Sequence, residues 1–252
     1  MSLKGQVAII TSGSSGIGRA SALLLAQRGA KVIVHYSART ASQAAEAVVA
    51  EIQALGGKAV AVQADLLQEN QVQELVLTAK ETFGSIDILV CHTPSYAEAK
   101  PFAEMSWELF AKQMNDELQT AFLTTQAVIP HLIERRSGRI VYVSSTLGKD
   151  PSPHMIAQGT AKGGLNTFAL YIAQEFGPHG ITANVVAPEH VHLDEAFALT
   201  KQEKQMLGSF TPLGRVAEPE DVASVIAFLA SEDALFLSGT YTPVTGGLTM
   251  EG

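Results

Sequence analysis

TSGSSGIG, residues 11–18, follows the short apolar run QVAIIT (6–11) and opens the apolar-periodic stretch GRASALLLAQRG (18–29). A buried strand that turns through glycines straight into a helix is the arrangement that cradles a dinucleotide pyrophosphate. Gly13 permits the tight turn, Gly16 lets backbone approach the pyrophosphate, and Gly18 allows close helix–sheet packing. The helix N-terminus adds N–H groups and positive potential for an anion. Glycine collects in any tight turn, so it is the strand–turn–helix context that gives this one its meaning.

The same alternation continues outward from that turn. Strand patterns at KVIVHY (31–36), AVAVQ (59–63), IDILVC (86–91), RIVYVSS (139–145), ITANVVA (181–187) and TYTPV (240–244) alternate with helical patterns. The helices fall at 40–57, 68–83, about 107–132, from about 156, and 220–231. Such regular alternation predicts an α/β fold, a doubly wound parallel sheet of Rossmann type with helices on both faces. No composition shift marks a boundary, so residues 1–252 read as a single domain. In such sheets the ligand sits beyond the carboxyl ends of the strands, where the strand order reverses. The polar, weakly patterned segment 190–212 reads as a substrate lid over that edge, with a domain linker as the alternative.

Composition narrows the function. A net charge of −8 with no long Lys/Arg cluster argues against nucleic acid. No apolar run reaches the length of a membrane span, and VAII (7–10) follows the N-terminus without the layout of a signal peptide. Cys91 stands alone, so no intramolecular disulfide forms. A cytoplasmic protein with a small-molecule substrate is expected.

At the glycine turn, the chain resembles the short-chain dehydrogenase/reductase family, and the likeness runs essentially its whole length. It continues in Asp65 after the third strand, DILV (87–90), GRIVYVSS (138–145), AKGGL (161–165), ANVVAP (183–188) and TGG (245–247). The resemblance implies a nicotinamide dinucleotide held by Gly13, Ser15, Gly16, Ile17 and Gly18, by Asp65 and Leu66 at the adenine, and by Cys91, Lys162, Pro188 and Val191 further along. NAD-preferring relatives place a carboxylate near Tyr36; none is present, and Arg39 could reach a 2′-phosphate. NADP is therefore expected rather than NAD.

The family's catalysis uses a serine, a tyrosine, a lysine and a relay asparagine. Ser145, Lys162 and Asn115 match three of them. Gln158, four residues before Lys162 and thirteen after Ser145, stands where the tyrosine should be. An amide can hydrogen-bond a carbonyl but has no proton to transfer near neutral pH. The family's Asn-Asn-Ala-Gly after the fourth strand becomes Cys91-His92-Thr93-Pro94, and its Pro-Gly and downstream threonine become Pro188-Glu189 and Leu193. The adenosine half of the site reads as intact and the nicotinamide half as rewritten.

Histidine could supply the missing proton, since it titrates near neutral pH. His92, His154, His190 and His192 fall near this edge, with His154 the first candidate and His190 the second. The run Glu189–Asp194 raises a metal reading, but it lacks helical His-x-x-x-His spacing and no metal is expected. Cys91 reads as an inert buried thiol before a nucleophile, and Tyr96 as a remote alternative acid. By resemblance the 107–132 helix and the helix carrying Lys162 form a subunit interface, implying a homo-oligomeric dimer or tetramer. The leading expectation is an NADP(H)-dependent oxidoreductase of a carbonyl or alcohol with altered acid–base chemistry. Its rivals are a catalytically inactive pseudoenzyme subunit and a non-redox lyase or isomerase.

Overall fold

Seven parallel strands alternate with helices in a computed structural model that describes residues 1–93, 99–192 and 199–250. The strands are β1 (Val7–Ile10), β2 (Lys31–Tyr36), β3 (Lys58–Gln63), β4 (Ile88–His92), β5 (Gly138–Val143), β6 (Ile181–Pro188) and β7 (Tyr241–Val244). The helices are α1 (Gly16–Gln27), α2 (Ser42–Ala54), α3 (Glu69–Phe83), α4 (Trp107–Arg135), α5 (Ile156–Phe176), α6 (Lys201–Phe210) and α7 (Pro219–Leu229). The sheet order is β3-β2-β1-β4-β5-β6-β7, so the chain reverses direction across the sheet between β1 and β4. Among the described residues no helix is long and apolar enough to cross a membrane.

Both faces of the sheet are covered, which is why β1, β5 and β6 are buried along their entire length rather than at alternate positions. Val141 and Val143 of β5 join the core beneath α1, α2 and α7, while Ile140 and Tyr142 join the core beneath α3, α4 and α5. Period-two alternation thus survives as a choice between two cores.

Two elements depart from expectation. Helix α4 continues past Leu132 to Arg135, with Pro130 inside it. Proline removes one N–H from the helical ladder there, and packing of Ala127, Val128 and Leu132 in the core carries the helix through. The segment expected to be an unpatterned lid contains α6, opened by a capping box. Glu203 N–H donates to Thr200 Oγ1 and Thr200 N–H to the Glu203 carboxylate. Residues 193–198 of that segment lie outside the described residues, as do Pro94 and Tyr96.

Candidate active site

At the carboxyl edge, the ends of β4, β5 and β6 and the first turns of α1 and α5 enclose a cleft of about 650 Å³. Ile17, His92, Ser145, Gln158, Lys162, Pro188 and Val191 all line it, so one hollow joins the glycine turn to the residues matched to catalysis.

The glycine turn is built differently from the expected assignment. The left-handed residues are Ser12 (φ 51°) and Gly16 (φ 49°), whereas Gly13 needs no positive φ. Gly13 sits in a tight place: a Cβ there would lie 3.1 Å from the Ile10 carbonyl oxygen and 3.2 Å from Val34 Cγ1, so its neighbours would have to give by a few tenths of an ångström. Gly18 admits no side chain because a Cβ would overlap the Ser12 carbonyl, so its close approach is to the turn itself. Ser15 is the N-cap of α1, and its side chain makes no capping hydrogen bond. The positive end of the helix dipole and the close-packed glycine turn beside it fit an anion such as a pyrophosphate.

Beyond β2, Arg39 is exposed at the start of a single 3-10 turn (Arg39–Ala41), with Tyr36, Ser37 and Ala38 before it and no carboxylate among them. Asp65 is exposed after β3, and its carboxylate accepts the Leu67 N–H at 3.0 Å. The Leu66 side chain is buried in the core, which leaves only its backbone to face a ligand. Cys91 likewise points into the core. Its Sγ lies 3.7 Å from Thr124 Oγ1, and burial pushes the thiol up to about 12, so neither a nucleophile nor a side-chain contact to a cofactor is available.

The catalytic matches divide. Ser145 Oγ accepts the Leu147 N–H at 3.3 Å, which leaves its own O–H free to donate into the cleft. Gln158 projects from the first turn of α5, half-buried in the cleft lining. Lys162, one turn on, is buried. Its Nζ donates to Glu117 Oε1 at 2.9 Å and to the Val143 carbonyl at 3.1 Å.

Asn115 does not reach the site. It is exposed on α4, and the residue that faces Lys162 is Glu117. Two residues turn a helix by about 200°, which carries Asn115 to the opposite face. Sequence reasoning passed over Glu117; the available signal was a carboxylate flanked by the apolar Leu118 and Ala121 on the buried stripe of the helix. Its second oxygen, Oε2, is buried without a hydrogen-bond partner, as are His92 Nδ1 and Thr93 Oγ1.

The histidines are also re-sorted. His154, the first candidate, is exposed with φ 67°; its carbonyl accepts the Lys100 N–H and its ring is not part of the cleft. His192 is drawn away, its backbone N–H bonding to the Ala217 carbonyl while its Nδ1 accepts the Leu199 N–H. His92 lines the cleft, but burial, reinforced by the Lys162 charge, lowers its pKa to about 3, so it is neutral at physiological pH. His190 stands exposed at the rim with Nε2 3.9 Å from Glu189 Oε1, lining both this cleft and an adjoining cavity of about 240 Å³. Tyr142, inside β5, donates or accepts at Thr125 Oγ1 (2.7 Å), and burial raises its pKa above the ordinary phenol value.

Likeness to known proteins follows the whole chain. A family model described as enoyl-(acyl carrier protein) reductase matches residues 12–249. A 3-oxoacyl-[acyl-carrier-protein] reductase of Synechocystis is 36% identical over 249 residues, 98% of each chain. An uncharacterized oxidoreductase of Methylorubrum extorquens is 38% identical over 249 residues, again 98% of each. Among solved structures, a mutant short-chain dehydrogenase/reductase of Serratia marcescens matches with a TM-score of 0.89 at 28% identity, over 98% of this chain and 99% of that one.

Proposed function

The chain belongs to the enoyl-(acyl carrier protein) reductase family of short-chain dehydrogenases/reductases, an oxidoreductase family, and on that premise we propose that it binds NADP(H) and acts on a carbonyl or alcohol with an acid–base group other than tyrosine. The supporting observation is the continuity of the cleft from Ile17 at the glycine turn to Ser145 and Gln158. When bound, the nicotinamide supplies or receives hydride. Gly13, Ser15, Gly16, Ile17 and Gly18 would hold the pyrophosphate, Asp65 and the Leu66 backbone the adenine, and Arg39 the 2′-phosphate. Pro188 and Val191 would flank the nicotinamide.

Ser145 and Gln158 orient the substrate oxygen, each offering a hydrogen-bond donor to it. Among the cleft-lining residues described, His190 is the one we assign to proton transfer: it is exposed at the rim of the cleft, and its Nε2 lies 3.9 Å from Glu189 Oε1. The assembly we propose is a dimer or tetramer through α4 and α5, whose outer faces leave Phe122, Leu170 and Tyr171 exposed.

A second reading, a nucleotide-holding subunit without turnover, is favoured by one observation: Lys162 is engaged at the floor by Glu117 and the Val143 carbonyl rather than projecting freely into the cleft. Calorimetric titration with NADPH and NADH, followed by turnover of a carbonyl panel with NADPH, tests both. Micromolar NADPH binding with turnover that His190→Ala abolishes supports the enzyme. Tight binding with no turnover supports the second reading, and no binding of either nucleotide overturns both.

A further inference from the structure

His35 belongs to β2 and stands outside every residue assigned to the nucleotide above. Its ring is fully buried between the loops that follow β1 and β3. Nδ1 accepts the Ser12 N–H at 3.0 Å, so Nε2 must carry the ring proton, which it donates to the Ala64 carbonyl at 2.9 Å. The backbone repeats the link on both sides. Gly13 N–H donates to the His35 carbonyl at 2.8 Å, and Ala64 N–H donates to the Tyr36 carbonyl at 3.1 Å.

What this histidine holds is a serine in the left-handed region, at φ 51°. Glycine adopts that conformation without penalty, whereas a residue with a Cβ does so only where its surroundings impose it. The Ser12 carbonyl is also the group against which Gly18 packs, so any drift of Ser12 moves the start of α1. On the far side, Ala64 immediately precedes Asp65 and Leu66. A single imidazole thus ties the loop assigned to the pyrophosphate to the loop assigned to the adenine.

We infer that His35 is a positioning residue for the adenosine half of the cleft: as its neutral Nε2–H tautomer, it holds Ser12 left-handed and sets the distance between the glycine turn and the Ala64–Asp65 loop. The inference rests on the proposed nucleotide site. Burial keeps the ring neutral, lowering its pKa to about 4 against the opposing influence of the Ala64 carbonyl hydrogen bond and, behind it, the Asp65 carboxylate.

The two bonds are separable by substitution. Asparagine places an amide oxygen near the position of Nδ1 and keeps the acceptor for Ser12; glutamine reaches toward the position of Nε2 and keeps a donor for Ala64. With NADPH as the probe, His35→Leu is expected to weaken binding about 10-fold or more at an unchanged circular dichroism spectrum. His35→Asn is expected to recover most of that loss, and His35→Gln less. Nitrogen NMR of the wild-type chain supplies a readout independent of ligand and of variant folding. One protonated and one unprotonated ring nitrogen, unchanged between about pH 5 and 8, is the expected signature.

A ring that titrates near its ordinary value, or the opposite tautomer, overturns the inference. So does wild-type NADPH binding that His35→Leu leaves unaltered. If the wild type binds no NADPH while His35 shows the expected tautomer, it is the nucleotide reading that has failed, and the positioning role falls with it. Should His35→Leu not fold, equal affinities for the asparagine, glutamine and wild-type chains overturn the inference in its place.

Discussion

His35 and His92 are both held neutral and both stand at the carboxyl edge, yet their surroundings differ: His35 is fully buried and His92 half-buried in the cleft lining. His35, in the half we assign to adenosine, has a partner on each ring nitrogen. His92, in the half we assign to the nicotinamide, has Nδ1 buried with no hydrogen-bond partner, and Thr93 Oγ1 and Glu117 Oε2 share that condition. Leaving a buried polar atom unpaired costs about 1–3 kcal/mol, so such atoms concentrate where function requires them. Around His35 the loops after β1 and β3 are tied together through both ring nitrogens. The region around His92 carries polar atoms that its own side chains do not satisfy, beside a lysine already paired with a carboxylate.

The contrast breaks most directly at the Glu117–Lys162 pair. Glu117→Leu leaves Lys162 as a buried charge without its partner and is expected to cost about 3–5 kcal/mol in urea unfolding. The double variant Glu117→Leu/Lys162→Met should recover most of that loss. If the single variant unfolds at the wild-type midpoint, the pair is not a structural element of the floor.

Acid probes the two histidines together. The folded chain holds His35 near 4 and His92 near 3, while the unfolded chain protonates both near 6.5. Below 6.5 the unfolded state therefore binds protons that the folded state refuses, and stability present at neutral pH is lost as pH falls from 6.5 toward 4. For His35 alone the loss is on the order of 3 kcal/mol. His35→Asn should flatten that slope in melts recorded across the range; a slope left unchanged would assign the acid sensitivity elsewhere.

Gln158→Tyr sharpens the comparison from the catalytic side. Restoring a transferable proton is expected to raise carbonyl reduction about 10²-fold, the lower end of what a positioned acid contributes, because Glu117 still holds Lys162. Adding Glu117→Asn should raise it further, and equal rates for the single and double variants would show that the ion pair exerts no restraint. The smallest effect falls on the half already well ordered. Arg39→Ala should weaken NADPH binding about 10-fold, roughly 1.4 kcal/mol, with NADH unaffected, as read by titration.

Much of this architecture follows from the sequence alone, because its signals are local. VAII running into TSGSSGIG needs only neighbouring residues to specify strand, turn and helix, and the regular alternation that follows leaves a doubly wound sheet as the way to bury both of its faces. Ser145, Gln158 and Lys162 were singled out by the family resemblance, and the structure places all three along one cleft. Tertiary structure decided what faces what. Asn115 and Glu117 are nearly adjacent in sequence, yet a helix rotates about 100° per residue, and only its docking against α5 brings Glu117 to Lys162. His35 resembles any polar residue in a strand until the loops after β1 and β3 close on its two nitrogens. His154, rather than His190, was the nearer histidine in sequence; the left-handed turn at His154 leaves it in solvent, while the end of β6 brings His190 to the rim of the cleft. Periodicity determines which face of an element is buried; the meeting of side chains from different elements is set by how those faces pack.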